Sequence, residues 1–424
     1  MKTNSIEPSY SIKQGRVAKF RRGSLTIATL ALLTLGVRSG YTETTVEVVH
    51  YFNVEGQVQA LADIQKDFEK ANPDIKIKYT YVPFGELVSR TLQMAAVHKA
   101  PAIAAIDNPD VLRVAKSNIL KDISKEVNKL PIWNDLYQGP KKAVTADGKA
   151  YGVPIGSNSL ALYYNKKMLS EAGVEPPKTW QQLTDVATKT TKSPVYGIAF
   201  SAVNTEESTW QWEPFLWSNG GSLLDLTSSN AVTALQLWVD WVSKGLASKD
   251  TLNWEQGDVA SQFTGGRAAT IVMGPWMLDA VKKSGVDFGI VPIPVPKEGA
   301  KPVVGLGGEC WCVLKSSPQV EAAAMKFISF TQEPERLRKV CDTFNYISSV
   351  KSIAKQQGES NPQLVPFVEQ MDTAKARSED GGAKYPEISL ATRTAIQRAV
   401  SGQAPADQAL KESATKIKSI LSKN

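Results

Sequence analysis

Apolar residues alternate along short segments of the chain and recur every three or four residues along longer ones, which is the pattern of strands followed by helices. Thr45–Phe52 alternates in this way and is predicted to be a strand. Val58–Ala71 places Leu61, Ile64 and Phe68 at helical spacing. The next predicted elements are a strand at Ile75–Tyr81, a helix at Glu86–Val97 and a strand at Ala102–Ile106. Strand alternating with helix predicts an α/β fold with a mostly parallel, doubly wound sheet.

The alternation resumes beyond Gly152. Thr179 and Gln182 have the spacing of a capping box at the start of a helix, and Asn230–Lys244 is strongly amphipathic. The other predicted segments are Ser159–Tyr164, Lys167–Ala172, Val259–Phe263, Ala268–Met273, Phe288–Pro292, Cys310–Leu314, Val320–Thr331, Pro334–Thr343 and Ser389–Ser422. At 424 residues the chain is too long for one hydrophobic core, so we expect two lobes.

Of the net charge of +7, a charge of +6 comes from the first 39 residues, which hold seven basic residues and one acid. The remaining chain carries +1, which does not provide the basic surface that nucleic acid requires. Basic residues up to Arg22 precede an apolar run at Leu25–Val37, which is typical of a signal peptide and too short to span a bilayer. We predict a signal peptide at residues 1–39, with ordinary secretion favoured over the twin-arginine route. No cysteine follows the run, so we expect a soluble periplasmic protein without a lipid anchor.

The sequence lacks most of the motifs that carry catalysis. It contains no phosphate loop, no dinucleotide fingerprint, no nucleophile elbow and no paired-histidine metal helix. With only two histidines, far apart, we expect no metal site and no cofactor. Cys341 is free to pair with Cys310 or Cys312, or all three are buried thiols. A glycosidase needs only two carboxylates, and the candidates are Asp107, Asp110, Glu213 and Glu309.

Seven of the ten tryptophans lie within 67 residues, which is the most unusual feature of the composition. Aromatic rings pack against the apolar face of a sugar, while carboxylates and amides accept bonds from its hydroxyls. Trp238 and Trp241, three residues apart on an amphipathic helix, are predicted to be core. Trp212 and Trp276 fall in segments that read as irregular, and we take them as candidate binding residues.

Five segments resemble family 1 of the extracellular solute-binding proteins, the maltose-binding-protein-like components of ABC sugar importers. They occur in the family's order at residues 60–77, 151–180, 262–276, 303–313 and 393–417, and they span nearly the whole chain after the leader. The segments at 151–180 and 262–276 read YGVPIGSNSLALYYNKKMLSEAGVEPPKTW and QFTGGRAATIVMGPW.

The resemblance implies the type II fold of periplasmic binding proteins, in which two doubly wound α/β lobes are joined by a multi-strand hinge. It places residues 43–156 and 303–349 in the N-terminal lobe and residues 157–302 and 350–424 in the C-terminal lobe. It also implies a ligand in the cleft between the lobes and delivery to the transmembrane subunits of an ABC permease. We expect a monomer that binds no nucleic acid.

The resemblance further implies a set of ligand-binding positions. Those on the strand ends and the crossover are Phe52, Asn53, Glu55, Asp107, Asp110, Asn158, Gly308, Glu309 and Trp311. Those on the second lobe are Trp212, Glu213, Phe215 and Trp276. A family aromatic aligns with Ser389, so this platform is absent unless Tyr385 replaces it.

The predicted function is capture of a mono- or oligosaccharide without turnover. Two alternatives stay open from the sequence. One is the same fold binding a non-carbohydrate solute, and the other is a secreted glycosidase.

Overall fold

The computed structural model describes residues 43–53 and 55–423, and the predicted signal peptide lies outside them. The strands are β1 Thr44–His50, β2 Ile75–Tyr81, β3 Ile103–Asp107, β4 Thr145–Ala146, β5 Lys149–Ala150, β6 Val153–Pro154, β7 Ala161–Asn165, β8 Tyr196–Ala199, β9 Ala268–Met273, β10 Phe288–Val291, β11 Gly305–Leu306, β12 Glu309–Val313 and β13 Lys375–Ala376.

The α-helices lie between and after these strands. They are α1 Glu55–Ala71, α2 Phe84–Ala96, α3 Asn108–Lys116, α4 Ser124–Val127, α5 Gln138–Ala143, α6 Lys166–Glu171, α7 Trp180–Thr190, α8 Glu206–Ser218, α9 Ser229–Ser243, α10 Gln256–Thr264, α11 Leu278–Lys283, α12 Pro318–Thr331, α13 Pro334–Phe344, α14 Lys351–Ser360, α15 Val365–Gln370, α16 Tyr385–Val400 and α17 Ala406–Ser422. Short 3₁₀ turns include Pro275–Met277 and Arg377–Glu379.

The first sheet has five strands in the order β2-β1-β3-β12-β6. The pairings of β1 with β2 and β3 are parallel, because α1 and α2 carry the chain back between these strands. The pairings of β12 with β3 and β6 are antiparallel. The carboxyl ends of β1 and β3 therefore meet at one edge, where their following loops lie side by side.

The second sheet has four strands in the order β10-β7-β9-β8. Only β8 and β9 pair in parallel, and β7 is antiparallel to both of its neighbours. The expectation of a mostly parallel sheet is therefore wrong here, because β7 enters from the first lobe and runs against strands that arise within the second. The α/β class and the two-lobe fold are confirmed.

Each sheet has its own hydrophobic core. One core takes its residues from 46–155 and 310–353, and we call the part built on it the first lobe. The other draws mainly on residues 160–306 and 354–417, and it defines the second lobe. Val304 and Leu306 pack in the second core, past the expected boundary at residue 302. The lobe boundaries stay a prediction at this level of detail.

Three segments cross side by side between the lobes. Ser157 exchanges two backbone hydrogen bonds of 2.7 Å with Ile347, and Asn158 exchanges two of 2.9 and 3.1 Å with Gly307. Gly308 has a φ of +106°, and a Cβ there would lie 2.3 Å from the carbonyl oxygen of Gly156, so only glycine fits this crossing. A band of crossing strands of this kind is where two lobes can rotate as rigid bodies.

Helix α8 corrects the expectation of an irregular segment around Trp212. The helix continues through Pro214, although proline removes one internal hydrogen bond. All its residues from Ser208 to Trp217 are buried, and their packing offsets that loss. The predicted capping box at Thr179 and Gln182 is confirmed, as is the core position of Trp238 and Trp241.

The three cysteines are free and buried in the first lobe, so the alternative of a Cys341 disulfide is wrong. Burial raises the pKa of the Cys341 thiol to about 12, which keeps it protonated and unreactive. Among residues 43–53 and 55–423, no helix is both long enough and apolar enough to cross a membrane.

Candidate functional site

A cleft of about 680 Å³ lies between the lobes, at the carboxyl ends of β1 and β3. Open α/β sheets bind ligands at this edge, because loops from neighbouring parallel strands diverge there. Eight of the thirteen predicted binding residues line it. They are Phe52, Asn53, Glu55, Asp107, Asn158, Trp276, Gly308 and Glu309.

Two tryptophans form the aromatic part of the second-lobe wall. Trp276, on the 3₁₀ turn after β9, stacks on Trp210 of α8 with ring centroids 5.4 Å apart and ring planes 20° apart. The Trp210 indole N–H donates to the carbonyl of Gly305 at 3.1 Å, which fixes that ring. Trp276 is partly exposed and presents the accessible ring surface of the pair.

Tyr51 and Phe84 form an aromatic pair on the first-lobe wall, with centroids 4.9 Å apart and an edge-on angle of 69°. Phe84 is half exposed at the mouth of the cleft, whereas Tyr51 reaches inward and donates its hydroxyl to Glu309. The cleft thus offers aromatic surface on both lobes, as a ligand enclosed between them requires.

Arg377 ties the two lobes together at the base of the cleft. It is 2% exposed and donates to both carboxylate oxygens of Asp107, at 2.8 and 2.9 Å, from the first lobe. It also donates to Glu206 on α8 at 2.9 Å and to the carbonyl of Leu306 at 2.8 Å. Burial raises the pKa of the Asp107 carboxyl, and the guanidinium charge opposes that shift.

Glu309 is the carboxyl at the crossover between the lobes. It is 5% exposed, and its Oε2 atom is buried with no hydrogen-bond partner among the described residues. Asn158 beside the crossover is 6% exposed, and its Oδ1 atom is equally without a partner in the described part of the chain. Buried acceptors without donors are costly, so this part of the cleft is suited to a ligand that donates hydrogen bonds.

The free energy of unfolding is expected to fall as the pH rises from about 5 to 8. Burial, followed by the charge of Asp107, raises the pKa of Glu309 to about 7, and the hydrogen bond from Tyr51 only partly opposes the shift. The folded protein therefore binds more protons than the unfolded chain between the ordinary glutamate pKa and pH 7, and stability declines across that interval. Glu207, whose pKa burial also raises to about 7, contributes with the same sign.

Urea unfolding at several pH values measures this slope. The substitution Glu309→Gln keeps an acceptor for Tyr51 and removes the titration. The decrease in the free energy of unfolding between about pH 5 and pH 8 should therefore become smaller by on the order of 1 kcal/mol. A slope unchanged by this substitution would show that Glu309 ionises in the folded protein as it does in the unfolded chain.

Four predicted binding residues lie away from the cleft. Trp212 and Phe215 are fully buried in the second core, and Trp311 is 2% exposed in the first core. Glu213 is buried and accepts a bond of 2.9 Å from the Tyr385 hydroxyl. Trp212 and Phe215 point into the core because helical spacing places them on the face of α8 opposite Trp210. The expectation that they contact ligand is corrected.

Asp110 lines a second recess of about 470 Å³ that adjoins the cleft at Asp107 and Glu206. Tyr385 borders the same recess, but it is only 1% exposed and its hydroxyl bonds to Glu206 at 2.6 Å and to Glu213. It does not replace the absent aromatic platform, and Ser389 is itself fully buried.

The structure adds several cleft residues that sequence reasoning missed. The main ones are Tyr51, Glu206, Glu207, Trp210, Tyr346 and Arg377. Helical spacing is the signal for two of them, since Glu206, Trp210 and Glu213 lie four and three residues apart on one face of α8. Arg377 has no such local signal.

Comparison with known proteins identifies a matching family and several relatives. Residues 63–366 match the family described as bacterial extracellular solute-binding protein. A binding protein of Brucella abortus, with no ligand in its name, is 24% identical over 427 residues, covering 96% of this chain and 100% of the relative. A maltooligosaccharide ABC transporter solute-binding lipoprotein of Streptococcus pneumoniae is 25% identical over 305 residues, covering 66% of this chain and 68% of the relative.

The fold has a similarly close match among solved structures. The cyclic alpha-maltosyl-1,6-maltose binding protein from Arthrobacter globiformis has a TM-score of 0.77 at 26% identity. The match covers 90% of this chain and 100% of that chain, so it includes both sheets and the crossing segments.

Proposed function

Because the chain belongs to the family of bacterial extracellular solute-binding proteins, we propose that it captures a carbohydrate in the cleft and delivers it unchanged to the permease of an ABC importer. The observation that carries the proposal is the stacked pair Trp210 and Trp276 beside the unpartnered acceptors of Asn158 and Glu309. A sugar presents an apolar face to such rings and hydroxyl donors to such acceptors. The names of the Streptococcus and Arthrobacter relatives, both of which refer to maltose-type saccharides, support the same class.

The proposed cycle uses the two lobes as rigid bodies. Ligand contacts with Glu309 and Asn158 at the crossover, and with Trp276 on the second lobe, favour the conformation in which both walls are engaged. In this proposal the leader at residues 1–39 directs export into the periplasm, and the permease recognises the closed form of the protein. The protein alters no covalent bond of its ligand in this scheme.

A panel of mono- and oligosaccharides is expected to raise the thermal unfolding midpoint of the purified protein for one or a few members. A ligand that binds only the folded form adds RT ln(1 + [L]/Kd), which is about 2.7 kcal/mol at one hundred times Kd. Differential scanning fluorimetry measures the shift, and chromatography of the recovered sugar checks that it is unchanged. If amino acids or phosphate esters raise the unfolding midpoint and no sugar does, the protein binds another class of solute. Recovery of a shortened oligosaccharide would indicate a glycosidase.

A further inference from the structure

Carboxyl side chains outnumber cationic ones in the cleft, although the protein outside its leader is close to neutral. Among the residues that the structure describes, two cations line the cleft, Lys283 and Arg377. The chain from residue 40 onward carries only +1 in total. The six carboxyl residues that line the cleft are Glu55, Asp107, Glu206, Glu207, Asp279 and Glu309.

The deep part of the cleft holds most of this imbalance. Arg377 is committed to Asp107 and Glu206, which already exceed its single charge. Lys283 is exposed on α11, and no Lys, Arg or His within the described residues lies within 4 Å of Glu207 or Glu309. The interior of the site therefore contains more carboxyl groups than cations to pair with them.

A second observation, independent of the charge count, shows where a positively charged donor would fit. Glu309 is about nineteen-twentieths buried, lines the cleft, and has an Oε2 atom without a donor. The Oδ1 atom of Asn158, on the adjacent crossing segment, also has no donor. A hydroxyl supplies one donor hydrogen and no charge, whereas an ammonium group supplies three and a full positive charge.

We propose that the ligand is a carbohydrate bearing a protonated amine, such as an amino sugar, and that Glu309 binds the ammonium group. This inference rests on the proposed function and narrows its substrate class. The accessible surface of Trp276 fits the same ligand, because indole faces attract cations as well as sugar rings. The acid excess repels uronic acids and sugar phosphates, which gives the cleft selectivity against anionic sugars.

The shifted titration of Glu309 agrees with this assignment. Burial, followed by the charge of Asp107, raises the pKa of this carboxyl to about 7. A cation beside Glu309 would lower that pKa and release a proton. The groups that face Glu309 are Tyr51 from the loop after β1, Tyr346 after α13 and Asp107 at the end of β3, and none of them is a cation.

Isothermal titration at pH 7 with sugars matched in shape tests the proposal on the full mature chain. The probes are glucose, N-acetylglucosamine, glucosamine and glucuronate, together with the β-1,4-linked disaccharides of each. At least one aminated probe is expected to bind at least about 10-fold tighter than its neutral partner, and the uronates are expected not to bind. At pH 6.5, titrations in two buffers of different ionisation enthalpy should show proton release on binding of the amine.

The variant Glu309→Gln assigns the preference to this carboxyl. Its ratio of amine to neutral affinity is expected to fall about 10-fold, because the amide retains an acceptor and loses the charge. Glu171→Gln, on the exposed face of α6 away from the cleft, should keep the wild-type ratio.

The inference is overturned if neutral sugars bind as tightly as aminated ones, if uronates bind best, or if Glu309→Gln keeps the preference. In the first two cases the proposed carbohydrate function still stands. If instead no carbohydrate of any charge binds while a non-sugar amine such as a polyamine does, the carbohydrate function fails and the cationic class is retained.

Discussion

Replacing Arg377 with methionine is expected to lower the free energy of unfolding by about 3–5 kcal/mol at pH 7, because removing one partner of a buried ion pair leaves uncompensated charge. The substitution would leave Asp107, which is 8% exposed, facing Glu206 with no cation between them. It would also remove the donor to the carbonyl of Leu306. Urea unfolding followed by tryptophan fluorescence and by circular dichroism measures the loss.

Two further variants test whether the loss of stability comes from the buried charge group around Arg377. Arg90→Met removes an exposed arginine that pairs with Glu86 one helical turn away, and should cost less than about 0.5 kcal/mol. Neutralising the whole group in the triple variant Asp107→Asn, Glu206→Gln and Arg377→Met should recover much of the stability, because it removes the uncompensated charge that the single variant leaves buried.

The sign of the pH effect provides a second check. In the Arg377→Met protein the Asp107 carboxyl loses the positive charge that opposes its protonation, so the pKa of Asp107 rises further. The deficit relative to wild type should therefore shrink as the pH falls from 8 to 5. A variant as stable as wild type at pH 8 would show that the interlobe ion group contributes nothing net to the fold.

Local periodicity was sufficient for most of the architecture. β2 and β9 have their predicted bounds, and α1 and α9 differ from prediction by three residues or fewer at each end. Period-2 and period-3.6 patterns report which face is buried, and the burial of that apolar face is the main source of stability for these elements. The segment at Ser389–Ser422 was predicted as one stretch and forms two helices, because Pro405 starts α17 after a turn at Gly402.

The binding residues divide according to how far apart they lie in the sequence. Loops after β1 and β3 were predictable, because the ends of neighbouring parallel strands meet at one edge. Arg377 lies 270 residues from Asp107, and only the crossing of the chain between lobes brings the two together. No pattern within a window of 20 residues carries that information.

The register of α8 is the most instructive error. Proline, glutamate and clustered tryptophans around Trp212 suggested an irregular binding segment, although the same residues are compatible with a helix whose core packing offsets one missing hydrogen bond. As a helix, the segment places Trp210 at the cleft wall and buries Trp212 in the second core, so the binding role expected of Trp212 does not hold.

Exchanging Trp212 and Trp276 for alanine should separate stability from binding. Trp212→Ala removes a fully buried ring from the second core and is expected to cost about 3–5 kcal/mol of unfolding free energy, with the affinity of the folded protein for its sugar unchanged. Trp276→Ala removes a partly exposed ring at the cleft wall and is expected to weaken binding by about 1–3 kcal/mol, with a smaller effect on stability.

Both quantities are to be measured on both proteins, by urea unfolding and by titration calorimetry with the best sugar of the panel. Trp212→Leu retains most of the apolar volume and should recover part of the stability, which keeps the comparison possible if Trp212→Ala does not fold. The opposite pattern, with Trp212→Ala losing affinity at full stability, would mean that the ligand contacts the far face of α8. In that case the cleft between Trp276 and Glu309 would not be the binding site, because Trp212 and the cleft wall lie on opposite sides of the same helix.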